Sequence, residues 1–231
     1  MKKKSPIFLI VFIVLIAFSF VTNGFYKLDN AEKAVIERFG ELIKVVDKPG
    51  LSFKIPYIDK VYIVNTNKVE SIQYGYRPSS APTPTSEPSY INKDDESIVL
   101  TKGSYIVNIG AIIQYRITDP AAYIYNVDDQ LGTARLAFES VLRRNMQNRD
   151  LESALIYKES IALDILPDLS RKLNSYGLGI TITDVKFTDV LLPEDVQLAY
   201  DDVNIAENEK TEYKSKADKY TNEMLPNARA D

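Results

Sequence analysis

An α+β fold carried on an N-terminal apolar anchor is the architecture this sequence predicts, and three features predict it. The first is an apolar run from Ile7 to Val21, interrupted only by Ser19. The second is a series of short strand-like runs, separated by Pro, Gly and Asp, across residues 33–117. The third is a pair of helical patterns followed by an alternating strand and a further helix that runs to the last residues.

The anchor comes first in the chain. Met1 to Lys4 carry three lysines, and the apolar run carried on to Tyr26 gives about 20 residues, enough to cross a hydrocarbon core. Phe25 and Tyr26 close the span where aromatic side chains commonly sit at headgroup level. Lys27, Asp29, Glu32 and Lys33 form a mixed-charge flank beyond it, so the lysine excess predicts a cytoplasmic tip at residues 1–6 and everything after Tyr26 outside. A signal peptide cleaved near Ala17-Phe18-Ser19 is the competing reading, but the run overshoots an ordinary signal core of about 7–15 residues. A retained single span at the cell membrane is expected.

Strands are predicted at Lys33–Phe39, Leu42–Val46, Leu51–Ile55 and Val61–Val64, separated by Gly40, by Asp47-Lys48-Pro49-Gly50 and by Pro56-Tyr57-Ile58-Asp59. Pro78 to Ser89 (PSSAPTPTSEPS) has one charge and no large apolar side chain, so it reads as a flexible excursion. Ser97–Thr101 and Tyr105–Ile117 follow as strands, the second alternating Ile106, Asn108, Gly110 against Val107, Ile109, Ala111.

Asp119-Pro120 opens a helical segment, with Asp as N-cap and Pro at the first helical position. Residues 129–148 and 157–176 read as helices; Gly177 supplies a left-handed cap, and Pro167 predicts a kink or a break. Ile180 to Val190 alternates as a half-buried strand. Leu192-Pro193-Glu194-Asp195 starts the last helix, with acids against the positive end of its dipole. Along it Val196, Ala199, Val203, Ala206, Lys210, Tyr213, Ala217, Tyr220 and Met224 recur in steps of three and four, the coiled-coil period. Val203, Ala206, Tyr213, Ala217 and Tyr220 are the candidate oligomerisation stripe; a lone amphipathic surface helix is the other reading.

Composition narrows the chemistry. The chain has no His, Cys or Trp, which excludes zinc fingers, Cys nucleophiles, Ser-His-Asp triads and disulfides. A net charge of −4 argues against a nucleic-acid face. Asp94-Asp95-Glu96, Asp128-Asp129, Glu194-Asp195 and Asp201-Asp202 are sequence neighbours, which point different ways on a helix and suit caps or solvated faces. Neither a calcium-loop spacing nor a Gly-rich phosphate loop occurs. No catalytic residue, metal site or cofactor is expected; a Ser-Lys hydrolase is the enzymatic rival. Pro49, Gly50, Leu51, Phe53, Ile55 and Pro56 form an apolar turn with two readings: a strand end packed in the core, or a loop dipping into lipid headgroups.

Several segments carry a resemblance. Val35-Ile36-Glu37-Arg38-Phe39-Gly40, then Pro49 to Asp59, then Gln114-Tyr115-Arg116-Ile117-Thr118-Asp119-Pro120, then Gly179-Ile180 with Pro193 and Val196 to Tyr200, follow an N-terminal span in the order seen in the band 7 or SPFH superfamily (stomatin, prohibitin, flotillin, HflK/HflC). Gly75-Tyr76-Arg77, Leu100-Thr101, Asp201-Asp202-Val203-Asn204 and Tyr220 to Arg229 are similar to the HflK branch. Leu100-Thr101-Lys102-Gly103-Ser104 departs from it by lacking an acidic pair after the Thr, and the family's long helix normally continues beyond Asp231.

The resemblance implies an SPFH domain with a mixed β-sheet and packed helices. It implies a tip and anchor at 1–26, a β-rich subdomain at 27–95 containing the 78–89 loop, an α/β subdomain at 96–191, and an assembly helix with coiled-coil character at 192–231. It favours the membrane-facing reading of the apolar turn. It further implies a homo-oligomeric ring or cage, an HflC-like paralogue as partner, and modulation of an FtsH-type membrane protease. A stomatin- or flotillin-like organiser of membrane microdomains, without a protease partner, is the alternative.

Overall fold

The computed structural model describes residues 19, 20, 22–79 and 89–230. Most of the expected span therefore lies outside the described residues, as does most of the Pro/Ser/Thr stretch. Among the described residues no helix is long and apolar enough to cross a membrane.

The fold is α+β, as the sequence predicts. The first unit comprises β1 (Phe25–Leu28), β2 (Glu32–Arg38), β3 (Glu41–Val46), β4 (Gly50–Phe53) and β5 (Asp59–Asn65). They form a three-stranded sheet in the order β3-β2-β5 and a two-stranded ribbon, β1-β4. Neighbouring strand residues point to opposite faces. Ala34, Val35 and Ile36 are nevertheless all buried, so the centre of β2 is covered on both sides. β1 corrects the expected end of the span: Phe25 and Tyr26 begin a strand, with Phe25 opposite Phe53.

The second unit is built on one long strand. β6 (Glu70–Tyr74) and β9 (Ile98–Leu100) pair with one edge of β10 (Ile106–Ile117), and β11 (Ile180–Leu191) pairs with the other. β7 (Tyr76–Pro78) and β8 (Tyr90–Asn92) form a hairpin, followed by α1 (Asp94–Ser97). Every ladder among the described residues is antiparallel, which corrects the expectation of a mixed sheet. The reason is local: the helices return the chain to the end of β10 that it left. The Thr118 and Asp119 N–H groups both donate to the Gly179 carbonyl, each at 2.9 Å, and Ile117 pairs with Ile180.

Between β10 and β11 lie α2 (Pro120–Tyr125), α3 (Gln130–Met146), α4 (Leu151–Ile156) and α5 (Lys158–Tyr176). Their starts and stops follow the sequence signals. The Asp119 side chain accepts from the Ala121 and Ala122 N–H groups, Asp129 accepts from Gly132, and Gly177 caps α5 at φ 65°. α5 runs unbroken through Pro167 where a kink or break is predicted. Pro167 removes the hydrogen bond to the Leu163 carbonyl. Both residues lie on the exposed side of the helix, where water can serve that carbonyl.

The core is a helix-on-sheet layer. Val107, Ile109, Ala111, Ile113, Tyr115 and Ile117 present one buried face of β10. Ala134, Phe138, Val141 and Leu142 of α3 and Ile161, Ile165, Leu169 and Leu173 of α5 belong to the same buried cluster, at helical spacing. Phe138 meets the fully buried Tyr74 edge-on at 4.9 Å between ring centroids, and the Tyr74 hydroxyl donates to the Glu96 carbonyl at 2.6 Å. The two units touch where the Tyr125 hydroxyl donates to Glu37 Oε2 at 3.0 Å; burial, then that bond, pushes the phenol pKa up to about 12. α6 (Glu194–Ala230) follows β11 directly and extends for 37 residues, about 55 Å.

Candidate functional site

Two surfaces stand out, at opposite ends of the chain's order. The first is an aromatic end on the β1–β5 unit. Residues 19–23 are helical where described, and Gly24 then turns the chain into β1. A side chain at Gly24 would meet the Phe53 ring at 2.5 Å, so the absence of a Cβ is what lets the incoming segment lie against β4. The Lys54 N–H donates to the Gly24 carbonyl at 2.8 Å. Phe25 meets Phe53 edge-on at 5.5 Å, Phe20 lies 6.4 Å from Tyr57, and Ser19 hydrogen-bonds the Tyr57 hydroxyl. The end of the N-terminal apolar segment and the apolar turn are thus one contiguous surface.

A partly buried ion pair fixes that surface. Asp59 opens β5 and Arg38 closes β2, directly opposite in the ladder. Arg38 Nε and Nη2 donate to the two Asp59 carboxylate oxygens at 2.7 and 3.1 Å, and the Ile55 N–H donates to Asp59 Oδ2 at 2.8 Å. The Asp59 side chain is only 3% exposed. The Arg38 hydrogen bond outweighs burial and, with Ile55, holds the carboxyl below its ordinary range. On either side of this clamp, Phe39 and Tyr57 take left-handed backbone conformations at φ 54° and 64°, uncommon for bulky residues. Both are presented outward, 87% and 79% exposed.

The predicted loop residues divide accordingly. Pro49 and Gly50 are exposed, as are Leu51 (72%) and Phe53, whereas Ile55 is half-buried and Pro56 is buried. Ile55 and Pro56 face the domain because the Asp59 clamp draws that part of the turn inward. Sequence reasoning missed Phe39 and Phe20 as members of this end, and set Tyr57 beside the apolar turn without counting it among the loop residues. Phe39-Gly40 reads only as a turn, and the pairing of Arg38 with Asp59 across 21 positions leaves no local signal.

The second surface is α6. Val203, Ala206, Tyr213, Ala217 and Tyr220 are all exposed. Among its side-chain bonds, Lys216 pairs with Glu212 at 2.5 Å and lies over the Tyr213 ring, and Gln197 donates to Asp201 at 3.1 Å. Such pairs support a helix by a few tenths of a kcal/mol each, too little to hold a long polar helix on their own.

Catalytic geometry is sparse. Glu96 pairs with Arg77 at 2.5 Å and Asp129 caps α3, which uses two of the acidic clusters structurally. Among the described residues no group of three or more acids is placed to hold a metal ion. A Ser-Lys pair does occur: Lys172 Nζ donates to Ser140 Oγ between α5 and α3. Ser140 lies inside α3, where its N–H belongs to the helix ladder and is not free to polarise a substrate carbonyl.

Residues 26–224 match the SPFH domain / Band 7 family. "Protein HflK" of Vibrio cholerae is 30% identical over 207 residues, covering 89% of this chain and 47% of that protein. "Modulator of FtsH protease HflK" of Escherichia coli K12 is 30% identical over 207 residues, covering 89% and 44%. "Protein HflK" of Treponema pallidum is 30% identical over 211 residues, covering 88% and 62%. The chain spans about half the length of the curated relatives from Vibrio cholerae and Escherichia coli.

Proposed function

The chain belongs to the SPFH domain / Band 7 family, and from that premise we propose that it is a membrane-seated, HflK-like scaffold that assembles with copies of itself and modulates an FtsH-type membrane protease. The apolar run from Ile7, ending before β1 begins at Phe25, serves as its single span, the lysine-rich tip stays in the cytoplasm, and the SPFH domain lies on the far side against the bilayer. The observation that carries this reading is the continuity of the incoming apolar segment with the aromatic end formed by Phe25, Phe39, Leu51, Phe53 and Tyr57. A contiguous exposed apolar surface next to a span has the headgroup region as its natural neighbour.

Assembly runs through α6 in this proposal, with an HflC-like paralogue as a second kind of neighbour. The protease partner is suggested by the name of the Escherichia coli relative. The test is sedimentation of the full chain in detergent, together with co-purification of an FtsH-type protease. Ala217→Glu places an unpaired charge in the stripe and should dissociate the oligomer while leaving the β-rich units folded. Glu212→Ala, off the stripe, should leave it assembled. An Ala217→Glu variant that sediments like wild type removes α6 as the assembly surface. An assembled wild type that retains no protease supports the microdomain-organiser reading instead.

A further inference from the structure

We propose that the anchor and the β1–β5 unit form one rigid body through a fitted joint at Gly24, so that the tilt of the span sets the pose of the domain on the bilayer; the inference rests on the span reading above. The link between the two is one residue long. Thr22 and Asn23 are helical, Gly24 turns, and Phe25 already pairs with Phe53 in the β1–β4 ladder. A domain on a flexible tether would need a run of unpaired residues there. β1 itself is held along its whole length, from Phe25 opposite Phe53 to the buried Leu28 opposite Gly50.

Contacts on both sides of Gly24 close the joint. On the helical side, the Ser19 carbonyl accepts from Thr22 Oγ1 at 3.2 Å and from Asn23 Nδ2 at 3.1 Å, so the helix end is served by its own side chains. The Gly24 carbonyl accepts from the Lys54 N–H at 2.8 Å, which ties the incoming backbone to the end of β4. Tyr57 reaches the helix from the other side, its ring 6.4 Å from Phe20 and its hydroxyl bonded to Ser19. The turn that carries Tyr57 is itself held: the Ile55 carbonyl accepts from the Ile58 and Asp59 N–H groups at 3.4 and 2.9 Å, and the Ile55 N–H donates to the Asp59 carboxylate. Gly24 is not among the glycines with positive φ, so its position demands space rather than backbone freedom. A Cβ there would lie 2.5 Å from the Phe53 ring and 2.6 Å from the Phe20 carbonyl oxygen. The ring could turn aside. The carbonyl belongs to the helix and moves only with it, so one added methyl group pries the helix off β4.

The chain has no cysteine, so an introduced pair carries its only spin labels. Val14→Cys in the apolar run and Asn67→Cys just beyond β5 bracket the joint. Glu41→Cys with Asn67→Cys is the rigid control, because both flank the β3-β2-β5 sheet and the Asn67 N–H is bonded to Asn65 Oδ1 at 3.0 Å. Full-length labelled chains, diluted with unlabelled ones so that only distances within a chain are read, are placed in phospholipid nanodiscs and measured by pulsed electron resonance. Wild type should give a distance distribution between positions 14 and 67 as narrow as the control. Gly24→Ala should widen it by about twofold or more while the control stays narrow, since the sheet remains folded. Tyr57→Ala removes the Phe20 and Ser19 contacts without adding an atom and should widen it too; it carries the test should Gly24→Ala broaden the control. A wild-type distribution about twice as wide as the control overturns the joint, as does a variant with a folded sheet whose distribution matches wild type in width and centre. The span reading is tested apart. A wild type that alkaline carbonate strips from membranes overturns that reading and this inference with it, whereas a retained chain with a broad distribution removes the joint alone.

Discussion

β10 and β3 carry similar apolar content and treat it in opposite ways. In β10 every second side chain from Val107 to Ile117 is buried under α3 and α5. In β3 five of six positions are exposed, Leu42, Ile43 and Val45 among them. Single exposed apolar residues are ordinary on a soluble surface. Here they lie in the same unit as Phe39, Tyr57, Phe53 and Leu51, the unit that the N-terminal apolar segment enters. The contrast teaches that burial within the chain accounts for one sheet and leaves the other unfinished. On the reading proposed above, the bilayer completes it.

The largest effect should come from the finished sheet. Phe138→Ala removes a fully buried ring from between β6 and α3 and should cost about 3–5 kcal/mol, read by denaturant unfolding. It should leave vesicle binding of the protein that remains folded unchanged. A cost below about 1 kcal/mol would mean that this layer is not the stabilising core.

The clamp sits between the two regimes. Asp59→Asn should lower the melting temperature, because it weakens the bonds that Arg38 and Ile55 make to the carboxylate. The sign with pH follows from its depressed folded pKa. The stabilisation is fully present above the unfolded carboxylate value of about 4 and is lost as pH falls through the lower folded value. Wild type should therefore lose stability over that acidic interval, and Asp59→Asn should lose less. Parallel curves for the two proteins would remove the clamp from the account.

The smallest effect on stability should come from the unfinished surface. Leu51→Asp alters a mostly exposed side chain and should change unfolding free energy by no more than about 0.5 kcal/mol. It should nevertheless weaken the contact between the domain and vesicles. A large stability loss with unchanged lipid contact would return the turn to the core reading.

How much of this was legible in the sequence depended on whether the signal was local. The alternation of β10 and β11, the Asp119-Pro120 helix start and the Gly177 cap are short-range patterns, and the structure follows them. β1 was hidden because Phe25 and Tyr26 continue the apolar run of the expected span. α4 was missed because six residues carry little periodicity and one residue, Tyr157, separates it from α5. Pro167 does not break α5, because its effect depends on where the freed carbonyl faces, which periodicity alone does not give. The candidate surfaces were half legible. Leu51 and Phe53 advertise themselves beside a Pro-Gly turn, whereas Phe39 and Tyr57 are set by a clamp joining residues 21 apart.

The most direct test of the account uses the absence of tryptophan, which makes any introduced indole the only one in the chain. Phe39→Trp, Tyr57→Trp and, on α6, Tyr213→Trp would each be reconstituted as full-length protein in vesicles containing brominated lipid. The account predicts blue-shifted emission and strong quenching at positions 39 and 57, and emission at 213 that the brominated lipid does not quench. Unquenched emission at both 39 and 57 in the reconstituted protein would contradict it, because the aromatic end would then face water rather than lipid.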